Sequence, residues 1–310
     1  MNEIAVIPIP LAGPIAASQA EISGMAWYAD DLLLLPQYPD RYGENGDGAL
    51  FILHKPDILR FINGEMSEPL TPDLIPIITN NLESMLIGYE GLEAIAVAGD
   101  QVYLTIETKP DSMLGYIISG QIVPDMRQII LDTPHLIPIA PQTGLTNYSD
   151  ETLLVFGSRL FSLYEINGAA LNATPLAHQF DLSLQALDPL AFPNIEYRIT
   201  DATSPDEFGR FWVINYFYPG DTALKPDSDP LADKYGEGPS HTRFETVERL
   251  VEFQFGYSGI VFSGSPPIQL ELIDDNHSRN WEAIARLEGF GFLLASDKYP
   301  ETILGYVPFN

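Results

Sequence analysis

The 310-residue chain carries 43 acidic and 15 basic residues, a formal charge of -28, and no cysteine. That charge argues against a role on nucleic acid or anionic lipid, because phosphate surfaces repel a chain without a concentrated basic patch. The lack of cysteine excludes disulfides, thiolate metal sites and a cysteine nucleophile, and it fits either redox compartment.

The opening stretch "MNEIAVIPIPLAGPIAASQAEISGMAW" has no basic lead, and Pro8, Pro10 and Pro14 interrupt its apolar run, so a secretion signal is not expected. No apolar run approaches the roughly 20 residues of a membrane span. The expectation is a soluble, cytoplasmic protein, extracytoplasmic if the chain is a mature form. Within this stretch "EIAVIPIP" is strand-like.

From Glu21 onward the chain repeats itself. "EISGMAWYADDLLLLPQYPD" from Glu21, "LEAIAVAGDQVYLTIETKPD" from Leu92 and "WEAIARLEGFGFLLASDKYP" from Trp281 share an acid, a small or apolar triplet, a Gly or Asp turn, a strand and a polar exit. Each is followed by another strand: "GALFILHK", "MLGYIISG" and "TILGYVPF". Two looser copies begin at Gly144 and Tyr197. Runs such as "QVYLTIE", "TLLVFGS" and "RFWVINYF" are short, aliphatic and aromatic, and bounded by turn residues, so they read as strands. Helical periodicity is nearly absent, with "SLQALDPLAF" its best short candidate, and scattered proline suits turns.

Repeated hairpin units of this kind predict an all-β fold, a β-propeller of five or six four-stranded blades over residues 1–310. The N-terminal strand would complete the last blade and close the ring. Residues 219–246, rich in Pro, Asp and Gly, read as a long loop inserted in the fourth unit that could cap the channel, with His241 expected to face solvent.

In a propeller the first strand of each blade lines the central channel, so the repeated acid is placed in a ring about the axis. Glu21, Glu93 and Glu282 hold that position, with Asp201 in the fourth unit and Asn147 in the third. Converging carboxylates repel unless some are protonated or a cation sits among them. An all-oxygen set suits calcium, with magnesium or manganese behind it; the alternative is that these acids accept main-chain hydrogen bonds and bind nothing.

"GLEAIAV", "VERLVEF" and "NWEAIARLEGFGFLLASDKYPETILGYVPF" resemble the propeller family described as the esterase-like domain of phytase, most specifically over the last thirty or so residues. "RITDATSPDEFGRFWV" and "EISGMAW" are more weakly similar to the regucalcin-like calcium-dependent lactonases, with Thr200 in place of their asparagine and Ile22-Ser23 in place of Gly-Pro. The resemblance implies hydrolysis of a small ester, lactone or phosphoester assisted by a channel cation. Glu21, Glu93, Asn147, Asp201 and Glu282 would lie near the ion, with Glu93 and Asp201 moving protons and Arg198 orienting an anionic group or bridging acids. The alternative from the same sequence is a non-catalytic propeller acting as a binding or scaffolding module.

Overall fold

A computed structural model describes residues 1–310 apart from 44–46, 124, 126–127, 275–277, 298–300 and 310. His277 and the Lys298–Pro300 part of the closing motif therefore lie outside the described residues.

The hairpins form where the turn chemistry allows them. Three units join their first two strands through two residues, Ala29-Asp30, Gly99-Asp100 and Gly157-Ser158. The leading residue has positive φ in each, 53° at Ala29, 59° at Gly99 and 60° at Gly157. Such turns match the right-handed twist of the flanking strands, and glycine meets the requirement at two of the three positions without steric cost.

The described strands form five groups of consecutive antiparallel strands, the first two joined edge to edge by parallel pairing of Asp73–Ile78 with Ile129–Leu131. The first contains Ile22–Tyr28, Asp31–Pro36, Gly48–His54 and Asp73–Ile78, and the second Tyr89–Ala98, Gln101–Thr108, Leu114–Ile122 and Ile129–Leu131. The third contains Asp150–Phe156, Arg159–Tyr164, Leu176–Asp181 and Ala186–Ala191. The fourth has Arg198–Ala202, Arg210–Phe217 and Val247–Phe255, with Ile260–Phe262 and Ile268–Leu270 sharing its outer edge. The fifth has Trp281–Leu287, Gly291–Ser296 and Leu304–Pro308, completed by the N-terminal Ile7–Ile9. The first strands of the five groups touch in cyclic order, and the fifth returns to the first. The fold is a β-propeller.

The apolar pattern follows from this ring. Leu32, Leu33, Leu34 and Leu35 are all fully buried. Leu32 and Leu34 pack toward Ala283, Leu293 and Tyr306 of the fifth group, while Leu33 and Leu35 pack toward Leu104 and Ile118 of the second. Both faces of each blade are covered, so its strands read as continuous hydrophobic runs rather than alternating ones. Three further clusters fill the remaining seams in the same way.

Closure uses the N-terminus twice. Ile7–Ile9 pairs antiparallel with the last strand, and Glu3–Ile4 pairs with Ile268–Leu270 of the fourth group. Three local expectations are corrected. The "SLQALDPLAF" segment is not helical, since Ala186–Ala191 forms the outer strand of the third blade. Helix Lys55–Ile62, which the sequence reading passed over, starts with Pro56 near its N-terminus, where a missing N–H costs nothing. His241 is buried rather than solvent-facing, with its Nδ1 2.8 Å from Glu3 Oε1. The 219–246 segment carries the short helix Pro230–Tyr235 and is pinned where Asp229 meets buried Arg249 at 2.5 Å. Among the described residues no helix is long and apolar enough to cross a membrane.

Candidate functional site

Each first strand has a register irregularity close to its start, the second blade's having two, at Tyr89/Gly91 and Leu92/Ala94, and these irregularities build the site. The extra residue is Ser23 in the first blade, Glu93 in the second, Glu151 in the third and Glu282 in the fifth; Thr200-Asp201 spans it in the fourth. A bulge leaves one residue out of the ladder and re-aims its side chain. A second set follows from the same register. The residues just past the partner of the pre-bulge position are Gln37, Glu107, Glu165, Tyr216 and Asp297. The residue before that position is Glu21, Gly91, Ser149, Arg198 or Asn280.

Together these positions enclose a strongly polar cavity of about 300 Å³, lined by Glu93, Glu107, Glu151, Glu282, Asp297 and Arg198 among others. Glu93 and Glu151 are each 7% exposed and Glu165, behind the lining, is fully buried. Arg198 is the positive charge among them. Its guanidinium donates to Glu165 and, at 3.2 Å, to Glu282, and it stands 3.7 Å from Glu151.

The electrostatics follow from crowding and burial. Burial, with Glu107 next, holds the Glu93 carboxyl well above the usual carboxylate range. Burial and the Glu165 charge do the same to Glu151. Glu107 is pushed up to about 7, chiefly by burial, and Glu282 up to about 8 by burial, with Arg198 opposing. Near neutral pH the cavity can therefore hold both protonated and ionised carboxyl groups, the pairing that proton transfer requires.

Of the residues singled out in the sequence, Glu93, Asn147, Glu282 and Arg198 share this cavity. Asn147 is exposed and accepts from the Lys109 ammonium. Glu21 lies outside the lining, two residues short of the bulge, 3.3 Å from Arg41. Asp201 is also outside the lining. It is 1% exposed and accepts from the main-chain N–H of Ile284 at 2.8 Å, and from those of Ala202 and Met25. It thereby ties the fourth blade to the fifth and first. Thr200 likewise donates to the Trp281 carbonyl at 2.6 Å. The fourth bulge is thus spent on a seam between blades.

The sequence reading missed Glu107, Glu151 and Glu165. Glu151 had a signal: Glu151-Thr152-Leu153 matches Glu93-Ala94-Ile95 and Glu282-Ala283-Ile284 in pattern, four residues beyond the Asn147 chosen instead. Glu107 and Glu165 stand at or just past the ends of second strands and had none.

The donors would suit a hard cation, being oxygen throughout. Yet the acids are arranged about a guanidinium, and among the described residues no three acidic or histidine side chains form a metal-binding group.

No family model matches the chain, and no curated protein matches it. Solved structures do. A glucose dehydrogenase crystal structure aligns over 99% of this chain and 100% of its own at 11% identity and a TM-score of 0.49. The soluble aldose sugar dehydrogenase of Escherichia coli in its apo form aligns over 98% and 99% at 10% identity and 0.47. A native Bacillus subtilis arabinanase aligns over 94% and 96% at 8% identity and 0.48. No activity passes from these proteins to this chain at such distances.

Proposed function

We propose that the central cavity is the active site of a hydrolase acting on a small ester or lactone, with carboxyl groups transferring protons and Arg198 as the fixed positive charge. The observation that carries this is that Glu93, Glu107, Glu151 and Glu282 line one polar cavity with Arg198, whose guanidinium reaches Glu282 at 3.2 Å and Glu151 at 3.7 Å. The motif resemblance to the esterase-like domain of phytase supports the same class.

In this scheme an ionised carboxylate accepts a proton as water attacks the substrate carbonyl carbon. The oxyanion that forms is stabilised by Arg198. The C–O bond then breaks, and a protonated carboxyl supplies the proton taken up by the leaving alkoxide. Phosphoesters fit less well, because their charge is repelled by the acids Arg198 leaves unpaired.

The test is initial-rate measurement with nitrophenyl acetate and a simple lactone, on wild type, Glu282→Gln and Glu151→Gln, each with chelator and with added calcium. The expected result is turnover above buffer that falls about 100-fold or more in the variants. Equal rates in all three proteins would sink the proposal. Loss on chelation with recovery in calcium would support the cation-dependent form. Asp201 and Thr200 favour a second reading, a non-catalytic binding module, since both are bound to neighbouring main chain. Absence of turnover across the panel would favour it.

A further inference from the structure

We infer that the molecule received by the central cavity carries a protonated amine, bound through its N–H groups by Glu93, Glu107 and Glu151. The inference rests on reading this cavity as the substrate site, and it names the substrate class.

Three observations carry it. First, the lining has more acceptors than the chain can serve. Among the described residues no basic side chain forms an ion pair with Glu93 or Glu107, and the hydrogen bond to the Glu93 carboxylate is from Gln37 Nε2 at 2.9 Å. Second, Glu151 is 7% exposed, yet no donor of the protein reaches its Oε2, since Arg198 lies 3.7 Å away. Glu107 Oε1 is buried and in the same condition. A buried acceptor without a donor is costly, and a ligand that brings donors recovers that cost on binding. Third, the acids come from separate strands around Arg198 and do not draw together as a metal set.

The ligand's chemistry follows. An anion would meet carboxyl groups on several sides. A bare calcium ion needs six to eight oxygens at about 2.4 Å. An ammonium group reaches carboxylates at about 2.8 Å through three separate N–H bonds, so it tolerates a wider and sparser ring of acceptors. At about 300 Å³ the cavity is at the small end for ligand sites, which suits a short-chain amine rather than a peptide or polymer.

The experiment is calorimetric titration of the wild-type chain with four probes: ethanolamine, choline, ethylene glycol and calcium chloride at matched ionic strength. Ethanolamine is expected to bind, choline about tenfold more weakly because it has the charge without N–H donors, and ethylene glycol not at all. Glu151→Gln and the less buried Glu107→Gln should each weaken ethanolamine about tenfold. The probe series on wild type does not depend on either variant folding. The inference is overturned if ethanolamine binds no better than choline or ethylene glycol, or if calcium alone binds. It is also overturned if both folded variants keep wild-type affinity. Ethanolamine binding without ester turnover would sink the hydrolase reading and leave this one standing; turnover of a neutral ester without amine binding would do the reverse.

Discussion

Glu107 shows in one side chain what the interior as a whole does with charge. Its carboxyl is pushed up to about 7 and that of Glu282 up to about 8, chiefly by burial. In the unfolded chain both would titrate near the ordinary glutamate value of 4.5. Between that value and the raised one the folded state binds the extra proton, so stability falls as pH rises through this interval and levels off above it. The folded state is favoured most, as far as these two groups decide, at the acid end. Glu107→Gln removes one of the two costs, on the order of 3 kcal/mol at full ionisation. Urea unfolding at pH 5 and pH 9 should show a smaller loss of stability for Glu107→Gln than for wild type, with the two proteins alike at the lower pH. An unchanged difference would mean that Glu107 ionises freely in the folded chain. Glu93 and Glu282 were legible in the sequence because each sits in a recurring motif, and Arg198 because its segment resembles a lactonase blade motif. Glu107 and Glu165 were not, because an acid at the end of a second strand looks like any solvated charge until the ring places it inward.

Secondary-structure elements were easier to read than their offsets. Aliphatic runs ended by glycine or aspartate announced the hairpins, and burial on both faces explains why those runs did not alternate. Bulges leave no comparable trace. Glu21 was aligned with Glu93 on its acid, although the register equivalent of Glu93 is Ser23, two residues further on. The ring closure depends on an element of two residues. Glu3 accepts from the Ser240 N–H at 2.9 Å, the Ser240 hydroxyl at 2.7 Å, the His241 N–H at 3.1 Å and His241 Nδ1 at 2.8 Å. Burial works against its ionisation, but the bonds from His241 and Ser240 outweigh that and lower its pKa to about 2. This contribution is complete above the ordinary glutamate value and is lost as pH falls toward 2. Glu3→Gln should therefore cost about 2 kcal/mol at neutral pH and nearly nothing at pH 2. Acid titration of the circular dichroism signal would reveal it as a shallower acid limb than that of wild type. Equal limbs would show that the N-terminal clasp adds nothing to closure.

Across the whole molecule, a formal charge of -28 sets the response to salt. Acidic groups on the outside repel one another over distances that about 0.1 M salt screens beyond roughly 10 Å. The cavity acids are screened much less, being buried and already offset by Arg198 and by bound protons. Surface repulsion alone then predicts that sodium and calcium chloride at equal ionic strength raise the melting temperature together, by about 2 °C for each 1 kcal/mol of repulsion removed. An ion seated in the cavity would behave differently, because a ligand bound only by the folded state adds stability by mass action, rising with the logarithm of its concentration once that exceeds Kd. Thermal melts in the two salts separate these contributions. The expected outcome is superimposable curves, in wild type and in Glu93→Gln and Glu282→Gln alike. A calcium-specific rise present in wild type and lost in both variants would instead seat a divalent ion among the channel acids, and with it the cation that the sequence alone led one to expect.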